Sequence, residues 1–306
     1  MNFEAITPAD RTAREPANLQ ATLVSLPAMR WLDRRPNAQV LHAFSRCVNL
    51  LAEDDEILSL TAEGIEPGPF SIVVEREAEH GLDGEGCFAG LETATTVKAN
   101  ASGLQIGRLN ICVDRALFWD PRFEVGLLDE QPVKDGLNLI RSLIIRHAAK
   151  ESLALALGSD DGSLYQRRIG QAWHKLRKGI LSDEQGLCVE GAWLAAGVGI
   201  GLTPAGDDFL VGVLAGLWTG LADPDRYADS IVAGATPRTS KLSAAWITAA
   251  GRGAFGQVWH DLSLALLNRD QGSVLRAGRR ILGAGHTSGT DAMSGFLATM
   301  ELISHS

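Results

Sequence analysis

Residues 197 to 210 read Gly-Val-Gly-Ile-Gly-Leu-Thr-Pro-Ala-Gly-Asp-Asp-Phe-Leu, and they place two adjacent carboxylates in the most apolar part of the chain. From Gly191 to Ala222 the only ionisable residues are Asp207 and Asp208. An isolated charge is costly to bury unless it is paired, hydrogen-bonded or bound to a metal. The stretch therefore predicts a functional site rather than a segment kept for stability alone.

The glycines and the Thr-Pro pair of this stretch predict its local structure. Gly197, Gly199 and Gly201 permit left-handed backbone conformations and a close approach of neighbouring groups. Thr203 followed by Pro204 is typical of a helix N-cap and a first helical residue. We therefore expect a glycine-rich turn that leads into an apolar helix, packed closely against a neighbour.

A related pattern lies near the C-terminus, where residues 283 to 291 read Gly-Ala-Gly-His-Thr-Ser-Gly-Thr-Asp. An ungapped alignment of the two copies matches three residues of each, Gly201, Thr203 and Asp207 with Gly285, Thr287 and Asp291. Helix N-termini that face each other across a pseudo-twofold axis direct free N–H groups and positive dipole ends into one pocket. We expect 201–208 and 285–291 to adjoin, with the N–H groups suited to a small anion and the carboxylates to an amide, an amine or a cation. Simple capping of each helix by its acid is the alternative.

The string Gly201 to Leu210, together with Gly285 to Asp291, resembles the AllH-like family, which is named after a subunit of oxamate carbamoyltransferase. Weaker matches follow in the expected order at 41–46, 68–72, 119–121 and 236–240. The resemblance implies that the chain acts in allantoin degradation, a part of purine catabolism. It implies joint action with two other kinds of subunit, which interconvert oxalurate plus phosphate with oxamate plus carbamoyl phosphate. At 289–291 the sequence departs from the family pattern, in which an aromatic residue more usually precedes the acid.

The implied carbamoyl transfer needs a bound phosphate, a polarised carbonyl and a nitrogen that loses a proton as it attacks. Asp207 is expected to be the base and Asp208 to position it. His286 is expected to donate to an oxyanion or to act as a general acid, and Asp291 completes the catalytic set. Residues expected to bind substrate lie in the glycine turns and at helix starts: Gly199, Gly201, Thr203, Gly206, Arg238, Thr239, Ser240, Thr287, Ser288 and Gly289. For His286 a structural hydrogen bond, and for Arg238 an exposed loop position, remain open alternatives.

Two other functions compete with a carbamoyltransferase subunit. In the first, Asp207, Asp208 and Asp291 bind Mg²⁺ and the chain is a metal-dependent hydrolase. In the second, the chain is a binding or scaffold subunit without catalytic residues. The preferred interpretation assigns no metal and no other cofactor.

Composition narrows the class of protein. A chain of 306 residues with 45% hydrophobic content can bury a sizeable core. Its net charge of -9 disfavours nucleic acid and anionic membranes as partners. The four cysteines form no Cys-x-x-Cys pair, which disfavours a zinc site.

With no secretory signal and no long apolar run, we expect a cytoplasmic protein. The expected partners are the other subunits and a small anionic metabolite such as phosphate, carbamoyl phosphate or an oxamate-like acid.

The order of patterns along the chain predicts an α+β fold. Residues 1–25 are expected to form a loose tail, 26–130 a β-rich barrel or sandwich, and 131–306 a mainly helical part that carries both motifs. Strand patterns occur at 56–61, 70–74, 93–98, 104–106 and 109–113. Helical patterns occur at 133–157, 164–180, 227–233, 242–251, 256–268 and 274–281, besides the two helices that follow the motifs.

Overall fold

The computed structural model describes residues 17–75, 86–100, 102–123, 130–147, 152–153 and 163–305. Within these ranges a β-barrel is followed by a mainly helical part, which confirms the predicted fold class.

The described strands form a barrel rather than a sandwich. Their bounds are β1 (Ala17–Ser25), β2 (Asn37–Ala43), β3 (Cys47–Ala52), β4 (Ile57–Ala62), β5 (Ser71–Val74), β6 (Thr96–Asn100), β7 (Gly103–Ile106), β8 (Leu109–Cys112) and β9 (Leu117–Trp119). The strand order is β5-β4-β3-β2-β6-β7-β8-β1, and β1 also pairs with β5, so this sheet closes on itself. The last part of β1 pairs with β9 in parallel.

Strand β1 corrects the prediction of a loose tail over residues 1–25. Ala17–Ser25 lies between β8 and β5 in the closed sheet, while 1–16 are outside the described residues. Leu19 and Ala21 point into the barrel with the alternation typical of a strand. Ser25 ends the strand and caps helix α1 (Leu26–Arg34), accepting a hydrogen bond from the Ala28 N–H at 3.3 Å. Trp31 of α1 packs into the barrel core.

The second part is built from helices α2 (Glu130–His147), α3 (Leu164–Ser182), α4 (Gln185–Ala195), α5 (Ala205–Gly220), α6 (Asp225–Ala235), α7 (Lys241–Gly251), α8 (Gln257–Leu267), α9 (Gln271–Leu282) and α10 (Ser288–Ile303). All the predicted helices are present, although the one predicted over 133–157 is observed over Glu130–His147 and much of the remainder lies outside the described residues. Helix α4 was not predicted, because its small and apolar residues show little periodicity. Helices α5 and α10 are apolar on most faces and lie in the core of this part.

The barrel and the helices are in direct contact. The ring of Phe70, next to β5, packs at a tilt against Trp246 of α7 with ring centroids 4.9 Å apart, and Arg280 of α9 forms an ion pair with Glu66 at 2.7 Å. The division at residue 130 into separate folding units stays a prediction. No helix in the described part of the chain is long and apolar enough to cross a membrane.

Candidate functional site

Helices α5 and α10 cross with their backbones in contact. A Cβ atom on Gly212 would lie 1.7 Å from the carbonyl oxygen of Ala292, and a Cβ on Gly295 would lie 2.1 Å from the carbonyl oxygen of Phe209. Only glycine permits so close an approach. The reciprocal contacts show that the two helices are related by a local pseudo-twofold axis.

The turns before the two helices repeat the same hydrogen bonds. Gly206 packs against the backbone at the end of α4, and Gly289 packs against the backbone at the end of α9. The Gly206 N–H donates to the Val198 carbonyl at 2.8 Å, and the Gly289 N–H donates to the Ala284 carbonyl at 3.0 Å. Helices α4 and α5 therefore form one copy of a helix-turn-helix unit, and α9 and α10 form the second.

This equivalence corrects the alignment made from the sequence. Each unit carries an acid two positions after its packed glycine, namely Asp208 after Gly206 and Asp291 after Gly289. Asp208 is thus the structural counterpart of Asp291, and the ungapped match of Asp207 with Asp291 is wrong. The cause is that the first turn is longer than the second, and spacing alone does not show where its extra residues lie.

The two motif segments adjoin, as predicted from the sequence. The hydroxyl oxygens of Thr203 and Ser288 are 3.3 Å apart and share a hydrogen bond. Thr203 is not the N-cap of α5, because that position falls on Pro204 and the helix begins at Ala205. The Thr203 hydroxyl instead joins the start of α10, so both helix N-termini lie at one place.

Asp207 has a hydrogen-bond partner for each of its carboxylate oxygens. Oδ1 accepts from the Gly197 N–H at 2.8 Å, and Oδ2 accepts from the Thr239 hydroxyl. Burial raises the pKa of this carboxyl, and the two hydrogen bonds oppose that rise. The side chain thereby ties the glycine turn to the segment that precedes α7.

Asp208 and Asp291 differ from Asp207 in that each has one buried carboxylate oxygen that accepts no hydrogen bond from the described residues. In the part of the chain that the structure describes, Oδ2 of each lacks a hydrogen-bond partner. Asp291 is fully buried, and its Oδ1 accepts from the Leu153 N–H at 2.6 Å. Such an unsatisfied buried oxygen is costly, so it marks a place where a ligand or a proton is expected.

Burial raises the pKa of Asp291 to about 6 and that of Asp208 to about 8. Hydroxyls of Ser288 and Thr203 oppose the rise at Asp208, and the neighbouring charge of Asp291 adds to it. The pKa values of the two carboxyls therefore lie on either side of neutral pH, with that of Asp208 the higher. Two acids with separated pKa values are suited to proton transfer.

The pair makes stability depend on pH. Both carboxyls bind protons more readily in the folded chain than in the unfolded chain, where an aspartate titrates near 3.8. Stability is therefore greatest below about pH 4 and falls as the pH rises from there to about 6 for Asp291 and to about 8 for Asp208. Each pKa unit corresponds to about 1.4 kcal/mol. In denaturant unfolding we expect the stability of Asp208→Asn relative to the parent to rise by at least about 1 kcal/mol between about pH 4 and about pH 8. Asp229→Asn, on an exposed part of α6, is the control and should follow the parent curve. Parallel curves for the parent and Asp208→Asn would contradict the raised pKa.

The other predicted binding residues fall into two groups. Gly199 and Gly201 have φ of +121° and +103° and shape the first turn, where Gly201 is exposed. Gly206 and Gly289 face helix backbones and use their N–H groups within the turns, which leaves neither amide for a ligand.

Ser240, which was expected to bind substrate, caps α7 by accepting a hydrogen bond from the Ser243 N–H at 3.1 Å. The Arg238 guanidinium lies 4.0 Å from the ring centroid of Trp193. Thr287 is the N-cap residue of α10, and its hydroxyl lowers the pKa of Asp291. His286 is exposed in the second turn.

The Mg²⁺ alternative assigned three converging ligands, Asp207, Asp208 and Asp291. Among the described residues no group of three or more His, Cys, Asp or Glu side chains is placed to hold a metal ion. Both carboxylate oxygens of Asp207, one of the three acids in that hypothesis, already accept hydrogen bonds, one from the Gly197 N–H and one from the Thr239 hydroxyl. The geometry therefore does not favour this alternative.

Sequence reasoning missed two contributors to the site. Leu153 acts through its backbone N–H, which carries no residue signature. Trp193 lies on α4, the helix that was not predicted, and nothing in the sequence connects it with Arg238.

Comparison with known families covers both parts of the chain. A family model described as oxamate carbamoyltransferase subunit AllH matches residues 195–300, which include both turns and all three acids. A second model, the AllH family N-terminal domain, matches residues 20–117. No curated protein and no solved structure matches the chain.

Proposed function

Because the chain belongs to the AllH family, whose name denotes a subunit of oxamate carbamoyltransferase, we propose that it takes part in carbamoyl transfer between phosphate and oxamate. In one direction the oxamate nitrogen attacks the carbonyl carbon of carbamoyl phosphate. The new C–N bond forms, the bond from carbon to the phosphate oxygen breaks, phosphate leaves, and the nitrogen gives up a proton to yield oxalurate. In the other direction phosphate attacks oxalurate, and the departing nitrogen takes up that proton.

The observation that supports this role is the unsatisfied Oδ2 of Asp208 at the meeting point of two helix N-termini. A proton must move to or from the substrate nitrogen in either direction, and Asp208 is a carboxyl whose pKa of about 8 lies close to neutral pH. In its ionised form Asp208 accepts the proton when oxalurate forms, and in its protonated form it donates the proton when oxalurate is cleaved. Burial is the main cause of its raised pKa, and the charge of Asp291 adds to it.

Asp207 takes the supporting role in this scheme, which exchanges the functions expected of the two acids from the sequence. A carboxylate that already accepts from the Gly197 N–H and the Thr239 hydroxyl has little capacity to accept a further proton. It fixes the turn that carries Gly199 and Gly201. The positive ends of α5 and α10, which meet where the Thr203 and Ser288 hydroxyls are hydrogen-bonded, then orient an anionic substrate.

A transfer assay tests the proposal directly. We expect phosphate-dependent cleavage of oxalurate when this chain is mixed with the partner subunits of the transferase, and none from this chain alone. The matched control is the same mixture without this chain. Full activity in that control would assign a different function to the chain, and activity from this chain alone would contradict its dependence on partners.

A further inference from the structure

The glycine turn presents apolar side chains to solvent beside a stacked arginine. Ile200 is 86% exposed, Trp193 46% and Leu202 41%. The Arg238 guanidinium lies over the Trp193 ring. We refer to these four residues as the turn surface.

Several contacts make the turn surface continuous with the candidate site. Gly197 packs closely against the Arg238 carbonyl, and the Ser240 hydroxyl donates to the Leu202 carbonyl at 3.2 Å. The N–H of Gly197 is held by Asp207, the neighbour of Asp208. The exposed residues are therefore anchored to the turn that leads into α5, the helix that carries Asp207 and Asp208.

Ile200 is exposed because of the backbone on either side of it. It lies between Gly199 and Gly201, whose positive φ values hold the tip of the turn away from the core. A β-branched apolar residue gains nothing from water at such a tip, and clustered exposed apolar residues are typical of protein interfaces. The turn surface thus has the composition of an interface, an aromatic residue and an arginine beside aliphatic residues.

The acid site itself is short of positive charge. Burial, hydrogen bonds and neighbouring carboxylates are the main influences on the pKa of Asp207, Asp208 and Asp291, and within the described residues no lysine or arginine is among them. The proposed substrates are anions, and they would be repelled by an ionised Asp291 without a compensating cation. Arg238, the cation of the turn surface, forms no ion pair with a carboxylate in the described ranges and is directed to solvent over Trp193.

We propose that the turn surface docks a partner subunit of the same transferase, through an apolar patch on the partner against Ile200 and Leu202 and a partner carboxylate against Arg238. Docking there brings cationic side chains of the partner beside Asp208, so the reaction site is completed between subunits. This inference rests on the proposed function, since it takes the partner from the multi-subunit transferase.

Two substitutions test the surface, with purified partner subunits as the binding probe. Ile200→Asp places a charge in the apolar patch, and Arg238→Glu reverses the charge that the partner carboxylate contacts. We expect each to weaken assembly at least about tenfold in sedimentation velocity titrations. Leu117→Asp, at a 72% exposed leucine of β9, is the matched control and should assemble as the parent does. The melting temperature of each isolated chain reports whether it is folded.

The outcomes separate docking from catalysis. Normal assembly of folded Ile200→Asp and Arg238→Glu would overturn the proposal, as would loss of assembly in Leu117→Asp alone. If Ile200→Asp weakens assembly while the parent complex transfers no carbamoyl group, the docking surface stands and the proposed function fails. If transfer by Ile200→Asp recovers at saturating concentrations of partner subunits, the surface acts in assembly and leaves the chemistry intact.

Discussion

Asp208→Asn is expected to leave the chain folded and to lower carbamoyl transfer by the assembled enzyme about 10²- to 10⁴-fold, the usual loss when a general acid or base is removed. Asparagine has nearly the same shape as aspartate but cannot take up or release the proton of the substrate nitrogen. The loss should fall on the turnover rate rather than on assembly. Steady-state kinetics of oxalurate cleavage with the partner subunits measures it.

Asp207→Asn is the matched comparison, since it makes the same change one residue earlier. An amide has one acceptor oxygen in place of the two that receive the Gly197 N–H and the Thr239 hydroxyl. We expect it to cost about 1 kcal/mol of stability and to lower turnover less than Asp208→Asn does. A folded Asp208→Asn enzyme with nearly normal turnover would remove Asp208 from the chemistry and favour a scaffold role for the chain.

Gly212→Ala is expected to destabilise the chain by about 3 kcal/mol or more, at the upper end of what overpacking a core costs. The added methyl would lie 1.7 Å from the Ala292 carbonyl oxygen, which is backbone and cannot rotate away. Helices α5 and α10 would have to separate along a contact that lies in the core. Denaturant unfolding at one fixed pH gives the free energy of unfolding.

Gly186→Ala is the control for that substitution. Gly186 also lies in a helix, α4, but a Cβ there would meet nothing within 4 Å. Because alanine favours the helix over glycine, this variant should be as stable as the parent or up to about 1 kcal/mol more stable. Equal stability of the Gly212→Ala and Gly186→Ala variants would contradict the close packing of α5 and α10.

The sequence predicted the helices that follow the two motifs and the meeting of their N-termini, because glycine, proline and acidic residues constrain local structure strongly. It did not predict β1, whose single inward-facing row of small and apolar residues resembles an ordinary chain end. It also matched Asp207 rather than Asp208 with Asp291. Successive residues of an α-helix point about 100° apart, so adjacent acids face different surroundings, and only the packing shows that Asp207 meets Gly197 while Asp208 meets Ser288.

The direct contact of the α5 and α10 backbones has a consequence for specificity. Because Gly212 and Gly295 leave no side chain between the helices, the spacing of the α5 and α10 backbones is set by main-chain atoms, which cannot change rotamer. The two helix starts that carry Asp208 and Asp291 therefore cannot approach each other to fit a smaller group. Adjustment to a substrate falls to side-chain rotamers, to the glycine turn or to a neighbouring subunit.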